Sequence, residues 1–167
     1  MEQINLFIVL QKLMKESNFQ CEWGVEWQEE QYFLKVILQF ELDNPNQLEL
    51  YDPIGNKINE EKIPFETQLV FFEAERFEIT SPYYIKAISV DSNQGIAYSD
   101  VVAIVKYLKK LSSMVRINWL EYLEKNETKE FKLEWKDREL EAMRQQLMIS
   151  HRYSYTPVFF PKRMGYE

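Results

Sequence analysis

The sequence predicts an α+β fold: one domain over residues 1–167, built on an antiparallel β-sheet of about five to six strands. An N-terminal helix, a long central helix and a C-terminal helix pack on that sheet. Three observations carry this expectation. Apolar and polar residues alternate with period two through 19–27 and 32–42. Apolar residues recur at helical spacing through 4–14, 101–122 and 140–147. The strands also come as a connected run before the long helix, without the βαβ alternation of a doubly wound fold.

Taken in order, Ile4, Phe7, Ile8, Leu10, Leu13 and Met14 share one side of an opening helix, with Asn5, Lys12 and Glu16 opposite. FQCEWGVEW then places Phe19, Cys21, Trp23, Val25 and Trp27 on one strand face, and YFLKVILQFEL does the same for Tyr32, Leu34, Val36, Leu38, Phe40 and Leu42. A four-residue loop, Gln28 to Gln31, sets a hairpin in which Trp27 opposes Tyr32, Val25 opposes Leu34 and Trp23 opposes Val36. Each large apolar residue then meets an apolar neighbour, so the tryptophan row reads as core and Cys21 as a buried, inert thiol. Glu22 and Glu26 fall diagonal to Lys35 on the other face.

The prolines punctuate turns: Asn44-Pro45, the Asp52-Pro53-Ile54-Gly55-Asn56 turn, Pro64 and Ser81-Pro82. Between them run expected strands at Gln47–Tyr51, Thr67–Phe72 and Tyr84–Val90. Ser99 or Asp100 is positioned to cap the central helix, whose stripe is Val101, Ile104, Val105, Leu108, Leu111, Val115, Trp119 and Tyr122. Lys106, Lys109, Lys110 and Arg116 ride its outer side. Phe131, Leu133 and Trp135 alternate as a late strand, and Asp137 is placed to cap the last helix.

Composition narrows the chemistry. The net charge of −7 is uneven, with 7 Lys+Arg against 18 Asp+Glu in residues 1–105 and 13 against 9 in residues 106–167. An acidic chain without a dense basic block is a poor match for nucleic acid. The first residues lack a basic n-region and a cleavage site, and apolar runs are far shorter than a membrane span. With one cysteine no internal disulfide forms, which suits a reducing compartment, and the expected setting is cytoplasmic, away from membranes. The single histidine, His151, excludes two-histidine metal motifs, and one cysteine excludes the common zinc sets, so no cofactor is expected. His151 sits where it would complement a helix C-terminus. Phosphate-binding glycine loops and the GxSxG elbow are absent. Acidic groups at Glu41 and Asp43, Glu60 and Glu61, and Glu73, Glu75 and Glu78 have the spacing of solvated faces and loops.

Packing explains the last stretch least well. From Arg144 to Glu167, four basic residues stand against one acid, interleaved with aromatics. Residues 152–167 are expected as an extended tail, with Tyr153, Tyr155, Phe159, Phe160, Lys162 and Arg163 as a candidate contact surface. Folding back on the acidic half of the chain accounts for it, and contact with another subunit or a partner is the other reading.

The opening helix, the hairpin CEWGVEWQEEQYFLKVILQFEL, the YDPIGN turn and the lysine-bearing helix together resemble a family of small Firmicutes proteins of unknown function. That resemblance implies no activity or site. The element order is also similar to that of small secretion-chaperone-like folds, an analogy of fold alone. The function these features favour is a non-catalytic protein-binding or adaptor domain, with another protein or a second copy of the chain as partner. The alternative is a hydrolase with carboxylate acid/base groups in a helix–sheet cleft.

Overall fold

The Asn5 side chain opens the first helix. In the computed structural model, which describes residues 3–75, 81–125 and 130–161, its Oδ1 accepts from the amides of Phe7 at 2.8 Å and Ile8 at 3.4 Å. That is an N-cap in the ordinary sense: a short polar side chain satisfying first-turn donors. Helix α1 (Leu6–Glu16) buries Leu6, Val9, Leu10 and Met14. The residues just before it, β1 (Ile4–Asn5), form a short strand.

The main sheet has four strands in the order β2 (Glu22–Gln28), β3 (Phe33–Asp43), β6 (Lys62–Glu73) and β7 (Tyr84–Val90). The β2–β3 hairpin forms as expected, but its register differs by two residues: Trp27 opposes Leu34, Val25 opposes Val36 and Trp23 opposes Leu38. The cause is Tyr32. It takes a left-handed φ of 58° and donates its amide to the Gln28 carbonyl at 2.8 Å, so the loop is Glu29–Tyr32. An even shift leaves every side chain on its expected face. Trp23, Val25 and Trp27 are half-buried against the core of Leu34, Val36 and Leu38. Glu26 stands directly opposite Lys35, not diagonal to it, and Glu22 opposes Gln39.

Strand β6 pairs with β3 from Lys62 to Phe72. Pro64 is inside this strand, contrary to the expectation of a turn. It is tolerated because β7 joins β6 only from Gln68 onward, leaving the amide side at position 64 unpaired. The sheet is not wholly antiparallel. β7 runs parallel to β6, with an irregularity that leaves Ile85 without a partner between the Gln68–Tyr84 and Leu69–Lys86 pairs. Parallel pairing requires the chain to return along the strand. Residues 76–80 of that return, including Glu78, are outside the described residues.

The expected strand at 47–51 shrinks to β4 (Leu50–Tyr51), which forms a small ribbon with β5 (Lys57–Ile58). A separate three-stranded sheet has the order β1, β9 (Pro157–Phe159), β8 (Ile96–Ala97), with β9 parallel to β1 and antiparallel to β8. The C-terminal segment is thus threaded between two other parts of the chain.

The long central helix breaks in two at Met114: α2 (Tyr98–Ser113) and α3 (Val115–Lys125). Ser112 and Ser113 donate their hydroxyls to the carbonyls of Lys109 and Lys110 at 2.8 and 2.7 Å, competing with the helical ladder. The Met114 amide reaches Leu111, a tightened last turn. Neither Ser99 nor Asp100 caps α2; its N-cap is Ala97, and both side chains serve other partners. Asp137 likewise begins α4 (Asp137–Ile149) from inside, Lys136 being the cap residue.

Phe131, Leu133 and Trp135 alternate without forming a ladder. Phe131 packs at 5.0 Å from Phe65 and 5.2 Å from Trp119, Leu133 is buried, and Trp135 meets Tyr107 edge-on at 4.7 Å. The period of two here marks a strap anchored by three side chains. The main core is enclosed by α1, α2 and the inner face of the sheet.

Candidate functional site

Among the described residues strand β7 is an edge of the main sheet, paired to β6 on one side alone. Along it lies a groove of about 520 Å³. Lys86, Ala87, Ile88 and Ser89 form one side, Leu140 and Arg144 of α4 the other, and Ile104 and Asp100 of α2 contribute between them. Gly95, Ile96 and Ala97 close one end.

Gly95 explains how that end is built. Its φ is +73°, and a Cβ there would lie 2.5 Å from the Val158 carbonyl oxygen and 3.1 Å from the Phe159 ring. The tight turn from Asp91, whose carboxylate accepts from the amides of Asn93 and Gln94, therefore delivers β8 directly onto β9. No other residue type fits both conditions without displacing the C-terminal strand.

The groove's polar groups are committed to one another. Arg144 donates from Nε to Asp100 Oδ1 at 2.7 Å and from Nη1 to Glu141 Oε2 at 2.6 Å. Tyr153 donates its hydroxyl to the same Asp100 oxygen. The Asp100 contact is the main reason the Arg144 guanidinium is held even more firmly protonated than usual. Burial, reinforced by Asp100, raises the Tyr153 phenol. Lys86 reaches Asp137 at 3.1 Å across the top. Among the described residues Asp100 is the one carboxylate that lines this helix–sheet cleft, so those residues place no acid/base pair there of the kind a two-carboxylate hydrolase uses.

Two other concavities offer less. A hollow of about 510 Å³ beside Cys21 is lined by Glu22, Gln39, Phe40, Glu41 and Arg116. Cys21 is half-buried, less enclosed than the sequence suggests, and burial pushes its thiol up to about 11 although Lys109 acts the other way. It is a poor nucleophile at neutral pH. The aromatic nest of Phe65, Trp119, Tyr122 and Phe131 leaves about 30 Å³, space for a water or two. Among the described residues no cluster of three His, Cys, Asp or Glu could hold a metal ion. Asp43, one of the acids singled out in the sequence, is paired with Lys62, whose hydrogen bond holds its carboxyl below the usual range.

The tail residues are dispersed by the fold. Phe160 is 6% exposed, stacked on Trp27 at 5.8 Å and edge-on to Tyr32 at 5.3 Å; it is core and offers no contact surface. Phe159 is half-buried against Gly95. Tyr153 turns inward to Asp100, while Tyr155, 74% exposed, rests its ring against Tyr153 at 4.5 Å. Lys162 and Arg163 are outside the described residues. His151 adopts a left-handed φ of 57° just past α4 and donates its amide to the Met148 carbonyl, a helix-ending conformation. The groove residues escaped the sequence because they come from four separate elements. The one available signal was Asp100 followed 44 residues later by an arginine on another helix, which no spacing rule connects.

A family model for proteins of unknown function, DUF3013, matches residues 1–162. The chain belongs to the DUF3013 family. A crystal structure of a conserved protein of unknown function from Enterococcus faecalis superposes on this DUF3013 chain with a TM-score of 0.80 at 19% identity, covering 97% of this chain and 98% of that one. At that identity the likeness shows the fold. No curated protein matches the sequence. The resemblance read from the hairpin, turn and helix is therefore correct, and the family's description assigns no activity.

Among the described residues no helix is long and apolar enough to cross a membrane.

Proposed function

We propose that this protein is a non-catalytic protein-binding domain, of adaptor or chaperone-like type, that takes an extended segment of another chain into the groove beside β7. The observation that supports this reading is the edge of β7 at Ala87–Ser89, unpaired among the described residues and facing a groove walled by α4. An exposed strand edge offers backbone donors and acceptors to an incoming strand, and pockets beside it select side chains. The charged groups of the wall are already paired, which favours main-chain and apolar recognition over capture of a charged ligand. The acidic net charge disfavours nucleic acid. The lone cysteine suits a cytoplasmic setting.

The test begins with capture of partners from native cytosol, followed by rebinding of each purified partner to the wild type, Ser89→Arg and Tyr155→Ala. Binding in the groove predicts a loss of affinity of about tenfold or more for Ser89→Arg, no change for Tyr155→Ala, and slowed amide exchange at residues 86–89 in the complex. A partner that leaves those amides unprotected and is indifferent to Ser89→Arg refutes the reading. Loss confined to Tyr155→Ala moves the contact to the tail.

A further inference from the structure

Helix α2 begins without a side-chain cap. Its N-cap residue is Ala97, and the first-turn amides that a serine or aspartate ordinarily satisfies go to a segment far along the chain, residues 153–156. Tyr98 donates its amide to the Thr156 carbonyl at 2.8 Å, and Ser99 donates its own to the Ser154 carbonyl at 3.2 Å. The Ser154 amide returns to the hydroxyl of Ser99, which is buried, and Tyr153 donates its hydroxyl to Asp100. The segment is therefore the cap that α2 lacks in its own sequence.

These bonds lie near the surface. Tyr153 and Ser154 are half-buried, Tyr155, Thr156 and Pro157 are exposed, and core anchoring resumes only with Val158 and Phe160. A stretch held by hydrogen bonds close to solvent, with little apolar burial, opens locally at far lower cost than the core behind it. Both of its ends reach the β7 groove. Upstream it follows α4 without slack, since the Arg152 amide still donates to the Leu147 carbonyl at 3.0 Å. The Asp100 oxygen that receives Tyr153 is the one that fixes Arg144 in the groove wall. Downstream, β9 pairs with Ile96 and Ala97, the closed end of the groove. The start of α4 is held separately: the buried Tyr107 hydroxyl donates to Glu139 and accepts from the Lys136 amide, both at 2.9 Å. A buried phenol thus pins one side of the wall, and a surface segment sets the Arg144 side.

We infer that residues 153–156 are a latch: shut, they fix the Arg144 side of the groove, and open, they release it while Val158 and Phe160 stay in the core. What the latch regulates rests on the reading of the groove as the binding site. Opening leaves the Tyr98 and Ser99 amides uncapped, lets the first turn of α2 fray and loosens Asp100, to which Arg144 is bound. A partner segment then meets a mobile wall and must order it, which lowers its affinity. By linkage, a segment seated in the groove holds the latch shut.

Hydrogen exchange read by NMR on the free, full-length chain tests the latch without any partner. In the wild type the amides of Tyr98, Ser99 and Ser154 should exchange about tenfold or more faster than those of Val36 and Leu38 in the middle of the sheet. Tyr153→Phe removes one anchor from the segment, and Ser99→Ala removes another from α2. Each should speed exchange about three- to tenfold at residues 98–101 and 144–148, the scale of one hydrogen bond, with β3 unchanged. Wild-type rates equal to those of β3, a change confined to residues 153–156, or a rise shared by β3 would each overturn the latch. For a partner that Ser89→Arg weakens, Tyr153→Phe should lower affinity about threefold or more, and an unchanged affinity would overturn the regulatory role. A partner indifferent to Ser89→Arg refutes the groove reading alone, because the exchange pattern is measured without it.

Discussion

Replacing Phe160 with alanine should unfold the protein well before the wild type, and the size of the effect follows from where the ring sits. The side chain is 6% exposed and fills the angle between Trp27 and Tyr32, whose own rings lie 5.1 Å apart. Burying a phenylalanine removes roughly 200 Å² from water, which at about 25 cal/mol per Å² is about 5 kcal/mol for the whole side chain. Alanine keeps part of that, while losing two aromatic contacts adds about 0.5–1.5 kcal/mol each. Partial collapse of the surroundings offsets some of the loss, giving about 3–5 kcal/mol. For a chain of this length 1 kcal/mol shifts the melting temperature by roughly 2–4 °C, so a fall of about 6–20 °C is expected. Calorimetry gives the shift, and urea unfolding followed by tryptophan fluorescence gives the energy, with Trp27 as the adjacent reporter. Tyr155→Ala is the internal control. It lies five residues away and is 74% exposed, so it should cost within about 0.5 kcal/mol. A Phe160→Ala protein melting within about 2 °C of the wild type would refute the claim that the C-terminal segment completes the core.

Gly95→Ala should be more damaging than Gly55→Ala, because both have positive φ but a Cβ at 55 meets nothing within 4 Å. Left-handed strain alone costs about 1–2 kcal/mol, so equal losses in urea unfolding would show that the Val158 carbonyl yields freely. Native Cys21 should alkylate about 100-fold more slowly at pH 8 than the urea-unfolded chain, since its thiol is raised from 9.0 to about 11; equal rates would contradict its burial. The folded state holds that thiol proton more tightly than the unfolded one, so this contribution to stability is present below pH 9 and lost as pH rises towards 11. Tyr84, Tyr107 and Tyr153, raised chiefly by burial, act in the same direction, and alkaline urea titrations should show a steady decline.

The hairpin and helices were legible because their side-chain periods are local properties of the chain. Register was not, and the reason is one residue: Tyr32 completes the alternation on paper yet turns into the loop, where its ring meets Trp27 and Phe160. The central helix read as continuous because its apolar stripe does continue past Met114; the break comes from two serine hydroxyls returning to their own backbone, a competition that periodicity ignores. The 131–135 strap shows the converse, with strand alternation produced by three anchors and no ladder. The parallel β6–β7 pair and the threading of β9 depend on contacts far apart in sequence, which no window of residues reports. The groove inherits that difficulty, since its walls meet only once β7, β8, α2 and α4 are in place.

An unpaired strand edge is a hazard as well as an opportunity, and the way β7 is guarded bears on what it could accept. Sheet edges are commonly protected from indiscriminate pairing by bulges, charges and short length. Here the irregularity at Ile85 disrupts the start of the strand, and Lys86 is drawn across to Asp137. Beyond Ser89 the chain turns away into the Asp91–Gly95 bridge. The open stretch is therefore about three residues, Ala87–Ser89, with α4 standing opposite it. A long foreign strand would meet Lys86 at one end and the Gly95 turn at the other. A short extended segment with small or apolar side chains towards Leu140 and Ile104 meets neither obstacle. On the proposed reading, the features that guard this edge leave room for a short added strand. If the groove takes such segments, Lys86→Ala removes one end stop, and longer segments should then bind to the variant more tightly than to the wild type; equal affinities for short and long segments in both proteins would refute the end-stop role of Lys86.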